Sequence, residues 1–469
     1  MHVEGKNESE ASHASRAESN HKNAGERRTE NDGTRLTPVV LLALLGFPPL
    51  TGLQFLDNGQ LRLGIDLDKG GSIVYLAKHQ GPNIINGADL GRQIQMSFYS
   101  GPVPFAPNGK QPSKDWTMLG WNPIQTGDCY HHPSRVTAFS RHGTTIFVRC
   151  VPMQWPLDNE PGECEFESTI SLLGYTVRVQ NRLLNHRADL TQYPARGQEL
   201  PAIYTNGPWY RLMSYTGDRP FTHGPLTQLT KDPPASTFPW VSFSATEDWT
   251  ALVDSAGWGV GVVEPGCQAM SGGFFGKPGF GGPLSSETGY IAPNYTEILD
   301  SNIDYRFEYT LVVGYLDAIR AYAYGHVPKP KPPAWTFKDD RDHWYYVNAT
   351  DAGWPIRGDL DAKLEQNDPQ LIGPAGFWPA SKGRTLLITA AFKCHSPDAQ
   401  VFWSRFDSPG FSEAKSLRIR TIPDGKMRTY QVDLGASPEY RGNITGLRVD
   451  PEHSGAPGDE VRVRSIGFR

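Results

Sequence analysis

Five cysteines in 469 residues are too few and too scattered to staple a disulfide scaffold. No two of them form a CxxC pair, which removes a zinc knuckle. Cys150 and Cys164 flank a turn-rich stretch and could pair across a hairpin; if all the others paired, one cysteine would be left over. An excess of one charge is also missing. The chain carries 45 Lys+Arg against 50 Asp+Glu, formally −5, and no basic stripe, so nucleic acid is not an expected partner. Long amphipathic helices are lacking: only Leu316–Tyr324 reads as helical, and it is short. Neither a dinucleotide fingerprint nor a serine-nucleophile elbow occurs. The glycine-rich run Ser271–Pro283 lacks the spacing of a phosphate loop, so it reads as a flexible loop in which Phe274, Phe275 and Phe280 could form a lid.

What is abundant are turn formers and rings: 49 glycines, 39 prolines, 12 tryptophans and 19 tyrosines. Average usage is about 7% Gly and about 5% Pro, and the excess supplies the many reversals of an all-β chain. Leu61–Leu67 alternates apolar and polar residues, Asp68–Gly71 turns, and Ser72–Ala77 returns, the pattern of a hairpin. Further strands are expected at Ile94–Tyr99, Thr144–Val151, Glu165–Leu172, Thr176–Leu184, Trp249–Val253, Val260–Val263 and Tyr305–Val313. After the proline-rich connector His326–Pro333, more are expected at Thr385–Phe392, Gln400–Trp403, Ser416–Thr421, Met427–Leu434, Gly446–Val449 and Val461–Phe468. The organisation expected is an N-terminal extension over 1–52, a large β-sandwich over 53–325, a linker over 326–334 and a second β-sandwich over 335–469.

The extension begins with polar residues up to Arg35 that cannot pack a core. The apolar run Pro38–Phe47 suits the hydrophobic region of a signal peptide better than a membrane span of about 20 residues. A secreted or cell-surface protein without a stable membrane span is therefore expected. The preceding polar stretch is unusually long for a signal, and a membrane anchor or a short buried segment are the alternatives. Sequons at Asn294, Asn348 and Asn443 are compatible with export.

The second unit resembles the jelly-roll carbohydrate-binding modules of secreted glycan-degrading proteins. The resemblance rests on Gly353-Trp-Pro, Asn367-Asp-Pro-Gln, Val401-Phe-Trp, Phe411-Ser-Glu, Pro423–Tyr430, Gly446–Pro451 and the final Val461–Phe468 strand. It implies carbohydrate binding, or packing against a partner domain. The first unit is similar to the galactose-mutarotase-like β-sandwich superfamily, through the Leu61–Ala77 hairpin and the strand pair around Glu167–Leu172 and Val177–Asn185. That superfamily includes sugar epimerases, glycoside hydrolases and polysaccharide lyases that bind sugar on the concave face of a twisted sheet. No catalytic residue carries over from it, because fold does not supply function.

Sugar recognition needs flat rings for C–H faces and planar polar groups for hydroxyls. The stretch Thr191–Arg211 offers both, with Arg196, Glu199, Tyr204, Asn206 and Trp209; an irregular loop whose charges pair with each other is the bland alternative. Trp121–His132 adds Trp121 and Gln125 as sugar contacts and Asp128 as a carboxylate. Its adjacent histidines would point to opposite faces of a strand, so no metal centre is expected there. Gln93 and Gln95 share a face by parity and could bond hydroxyls or tie down the turn at Asp89. Glu247 and Asp248 stand beside Trp249, a further substrate contact. Hydrolysis would use two carboxylates, with Glu199 paired to Glu247 or Asp128; lysis of a uronate chain would instead use His186, Tyr204 and Arg196. In the second unit Asp359, Asp361, Asp368 and Asp450 could include a structural calcium site or be solvated carboxylates. Trp354, Trp378 and Trp403 are possible stacking platforms, at least one of them core.

The function expected is cleavage of a poly- or oligosaccharide by a hydrolase or lyase. The alternative is a non-catalytic carbohydrate-binding or cell-surface protein. An epimerase of small sugars is disfavoured, because an accessory module raises effective concentration on a polymer.

Overall fold

The computed structural model describes residues 52–230 and 239–469, so the expected signal-type run Pro38–Phe47 lies outside the described residues. The fold is all-β. Thr176–Asn185 shows why: Val177, Val179, Asn181 and Leu183 point inward while Arg178 and Gln180 face solvent. It lies between Cys164–Leu173 and Asp304–Tyr315, antiparallel to both. These three belong to a nine-stranded sheet. Its spatial order is Thr227–Gln228, Arg211–Ser214, Trp249–Val253, Trp258–Val263, Asp304–Tyr315, Thr176–Asn185, Cys164–Leu173, Thr145–Val151 and Arg135–His142.

A ten-stranded sheet faces it. The order there is Leu53–Asp57, Leu61–Asp66, Ser72–Lys78, Ile94–Ser97, Arg196–Asn206, Thr288–Glu297, Ala269–Phe275 and Val241–Ser244, with Pro123–Ile124 and Met153–Gln154 attached beside Ile94–Ser97. One apolar core joins the two sheets, with Leu63, Phe98, Ile203 and Ile291 meeting Phe166, Val179, Leu183 and Leu311. The single α-helix among the described residues, Leu316–His326, buries Ile319 and Ala323 in a cluster with Trp249, Ala251, Val263 and Val312 of the nine-stranded sheet.

Residues beyond the connector build two further antiparallel sheets, one of five strands and one of six. The five-stranded sheet contains Thr385–Lys393 and Glu460–Phe468, and the six-stranded sheet contains Asp398–Arg405 and Asn443–Asp450. Their shared core holds Trp344, Phe392, Trp378 and Trp403. Trp378 and Trp403 are thus core residues, and Trp354 packs partly buried against the first core, so none is a free stacking platform. All five cysteines are free thiols, and no Cys150–Cys164 disulfide forms.

The two parts meet through a buried ion-pair knot. Arg341 reaches Asp300 at 2.6 Å and Asp351 at 2.8 Å, and the Gln192 side chain bridges the same two carboxylates. Close by, the His343 ring stacks on Tyr295 at 4.1 Å and its Nδ1 lies 2.5 Å from Glu297.

Candidate functional site

Within the stretch Thr191–Arg211, for which an irregular loop was the bland alternative, Arg196–Asn206 is a strand at the centre of the ten-stranded sheet. A bulge between Glu199 and Ile203, around Pro201, breaks its alternation. Ile203 turns into the core, while Ala202 and Tyr204 join a separate small cluster with Tyr290, Ala292 and Trp240. That cluster lies on the face of the sheet turned away from the sandwich core. Tyr204 pairs with Tyr290 across the strands, their ring centroids 4.9 Å apart, and Trp240 stands 5.0 Å beyond Tyr290.

Glu199 belongs to the same face, opposite Asn294 on one neighbouring strand and Ser97 on the other. It is only partly exposed, beside these aromatic rings, and we call the surface they form together the recess. Burial pushes its carboxyl above the ordinary range, against the nearby phenols of Tyr290 and Tyr99, which favour the anion. Burial and the Glu199 charge in turn hold the Tyr290 and Tyr99 phenols well above their usual range, so they stay neutral donors. Tyr99 is also tied to Ser97 at 3.0 Å.

Arg196, one turn of the pleat away, is fixed rather than free. Its guanidinium donates to the carbonyls of Leu119 at 2.6 Å, Met118 at 3.0 Å and Ser100 at 3.2 Å, and lies 6.0 Å from the Tyr99 ring centroid. On the other side, the turn at Asp89 carries the pair Arg92–Asp89 at 2.9 Å, whose charges act on Tyr204. Trp155 packs on Gly91 of that turn and meets Trp116 edge-on at 6.0 Å. The recess therefore offers one carboxyl raised by burial, neutral phenols, a pinned guanidinium and half-buried rings.

The other residues singled out from the sequence fall elsewhere. Glu247 is buried under the helix: burial opposes its charge, but Arg320, Trp249 Nε1, Phe221 N and Tyr324 together hold its pKa below the ordinary value. Asp128 is fully buried and accepts from Tyr130 N, His132 N, Asn159 N and the His132 ring. Both carboxylates are thus saturated by their own surroundings. His186 is exposed at the end of its strand.

Trp121, Trp209 and Trp249 are buried core rings. Gln125 bonds Met96 N and Gly70 O, Gln93 donates to Asp89 O, Gln95 accepts from Thr126 N, and Asn206 donates to Asn83 O. These amides tie turns to strands. Of the four aspartates considered for calcium, Asp359 pairs with Arg464, Asp368 and Asp450 share Arg448, and Asp361 is exposed; none belongs to the one cluster of metal-type donors found among the described residues. Sequence reasoning did not single out Tyr99, Tyr290 or Trp240, whose meeting depends on strand order rather than on spacing, nor the Trp116–Trp155 pair.

A groove of about 430 Å³ on the outer face of the nine-stranded sheet is lined by Glu167, Gln180, Arg182, Arg306 and Glu308 among others. Its charges satisfy one another, with Arg182 on Asp304 at 2.7 Å and Arg178 on Glu308 at 2.5 Å. Its rings are the half-buried Phe147 and the buried Phe307.

No protein-family model matches the chain, and no curated protein matches it in sequence. Among solved structures, it is similar to a galactose mutarotase related enzyme from Lactobacillus acidophilus, at 11% identity and a TM-score of 0.34, covering 56% of this chain and 97% of the other. A 4-alpha-glucanotransferase from Thermococcus litoralis matches at 12% identity and TM-score 0.31, covering 58% and 40%. A low-affinity xylan-binding module from Roseburia intestinalis matches at 13% identity and TM-score 0.19, covering 29% and 94%. With TM-scores below 0.5, no functional residue is carried over from any of them.

Proposed function

We propose that the protein binds a poly- or oligosaccharide in the recess of the ten-stranded sheet and that Glu199 exchanges a proton with the bound sugar. One observation carries this: a partly accessible carboxyl whose pKa is raised by burial, set among the neutral phenols of Tyr99 and Tyr290 and beside the Tyr204 and Trp240 rings. A carboxyl raised by burial is suited to general acid or base work. The rings suit the apolar faces of pyranose units, and the phenols suit hydroxyls.

Glu247 and Asp128 are saturated where they stand, so a two-carboxylate hydrolysis would need its second carboxylate from another residue. Elimination beside a uronate uses fewer carboxyl groups and fits this recess better, with the substrate carboxylate neutralised by a group other than the pinned Arg196. The second reading is a carbohydrate-binding protein without catalysis. It is favoured by Arg196, whose donors are already given to three carbonyls. Glu199→Gln separates the two. It should abolish turnover while sparing glycan binding if Glu199 transfers a proton, whereas a wild type that binds and never turns over any glycan supports binding alone.

A further inference from the structure

Three donor residues converge at one edge of the second sandwich. His395 lies two residues beyond the strand Thr385–Lys393, Glu452 two beyond Asn443–Asp450, and Asp459 directly before Glu460–Phe468. His395 Nδ1 stands 2.6 Å from Asp459 Oδ2 and 3.2 Å from Glu452 Oε2, and one donor atom from each residue falls within 4.8 Å of the others.

Glu452 is the unusual member. It is 1% exposed, and neither of its carboxylate oxygens receives a hydrogen bond. A buried carboxylate left without donors is costly unless a cation faces it. Here the facing group is a half-exposed imidazole whose Nδ1 is shared with Asp459. Asp459, by contrast, is held in place: its Oδ2 accepts from Ala456 N at 2.8 Å and its carbonyl accepts from Leu364 N at 2.9 Å. The cluster is therefore a rigid anionic cradle, open to solvent on the histidine side.

We propose that His395, Glu452 and Asp459 bind a divalent transition ion of the zinc class. Calcium favours six to eight oxygen donors, whereas one imidazole with two carboxylates is a donor set that zinc accepts, with water completing the shell. Zinc bonds of about 2.0–2.2 Å in a tetrahedron place donors about 3.3 Å apart. The His395–Glu452 pair is already near that spacing, and a small swing of the exposed ring opens the His395–Asp459 pair to it. The ion replaces the proton that the imidazole otherwise shares with the carboxylates. Glu452 follows a strand of the six-stranded sheet, while His395 and Asp459 flank strands of the five-stranded one. The bound ion thus clasps the two sheets at this edge.

The test uses the full chain, stripped with chelator and titrated with zinc chloride by calorimetry, with thermal midpoints recorded with zinc and with calcium. Wild type should take up one zinc ion that His395→Ala loses, with affinity lower by roughly 100-fold or more, and zinc should raise the midpoint of wild type alone. Glu452→Gln should also lose the ion while leaving the metal-free midpoint at or above that of wild type, because it removes a buried carboxyl whose oxygens accept no hydrogen bond. This second variant guards against a mere folding defect. Absence of zinc binding, binding unaffected by His395→Ala, or a midpoint raised by calcium and not by zinc would each overturn the proposal.

Discussion

Arg341 lies 2.6 Å from Asp300, joining the end of the first sandwich to the start of the second, and both side chains are almost fully buried. The same guanidinium holds Asp351 at 2.8 Å. Removing one partner of such a pair leaves uncompensated charge, which costs about 3–5 kcal/mol. Arg341→Ala should therefore lower the unfolding free energy, read from urea titration, by an amount of that order. A change below about 1 kcal/mol would mean that the knot does not hold the junction.

Asp248 should make stability fall with rising pH. Burial pushes its carboxyl up to about 7, although Gly266 N and Gln268 partly favour the anion. An unfolded aspartate titrates near 3.9. Between those values the folded state keeps a proton that the unfolded state has lost, so stability drops as pH rises from about 4 to about 7, by up to roughly 4 kcal/mol. Asp248→Asn should remove that part of the slope. Urea midpoints of wild type and variant across this range measure it, and parallel curves would contradict the assignment.

Gly273 should matter to binding without touching the acid. A Cβ there would stand 2.1 Å from the Pro239 carbonyl and 2.8 Å from Trp240 Cε3. Gly273→Ala should push Trp240 out of the recess and weaken glycan binding about tenfold, close to the effect of Trp240→Ala, since one ring contact contributes about 0.5–1.5 kcal/mol. Titration by intrinsic fluorescence reads it. Unchanged binding in both variants would remove Trp240 from the site.

Elements whose side chains alternate cleanly were legible in the sequence. Thr176–Leu184 was expected and Thr176–Asn185 is observed; Trp249–Val253 is unchanged, and the short helix extends only from Tyr324 to His326. Arg196–Asn206 was hidden because Gly197 and Pro201 interrupt it and because its outward side chains are polar and aromatic. Ser271–Pro283 read as a loop for its glycines, yet its first residues belong to the strand Ala269–Phe275, where the Tyr290 and Pro239 carbonyls come too close to Gly272 and Gly273 for any side chain. Glu199 was visible as a candidate. Its neighbours Tyr99, Tyr290 and Trp240 lie on or beside strands about 100 residues or about 40–90 residues away, and only the order of the sheet brings them together.

Glu199→Gln beside wild type, on polysaccharides that both proteins bind, is the most direct measurement. New reducing ends and unsaturated-uronate absorbance are followed together. The account predicts turnover by wild type, loss of roughly 100-fold or more in the variant, and binding within about threefold of wild type. Equal turnover by both proteins would show that Glu199 does not transfer the proton and would contradict the account.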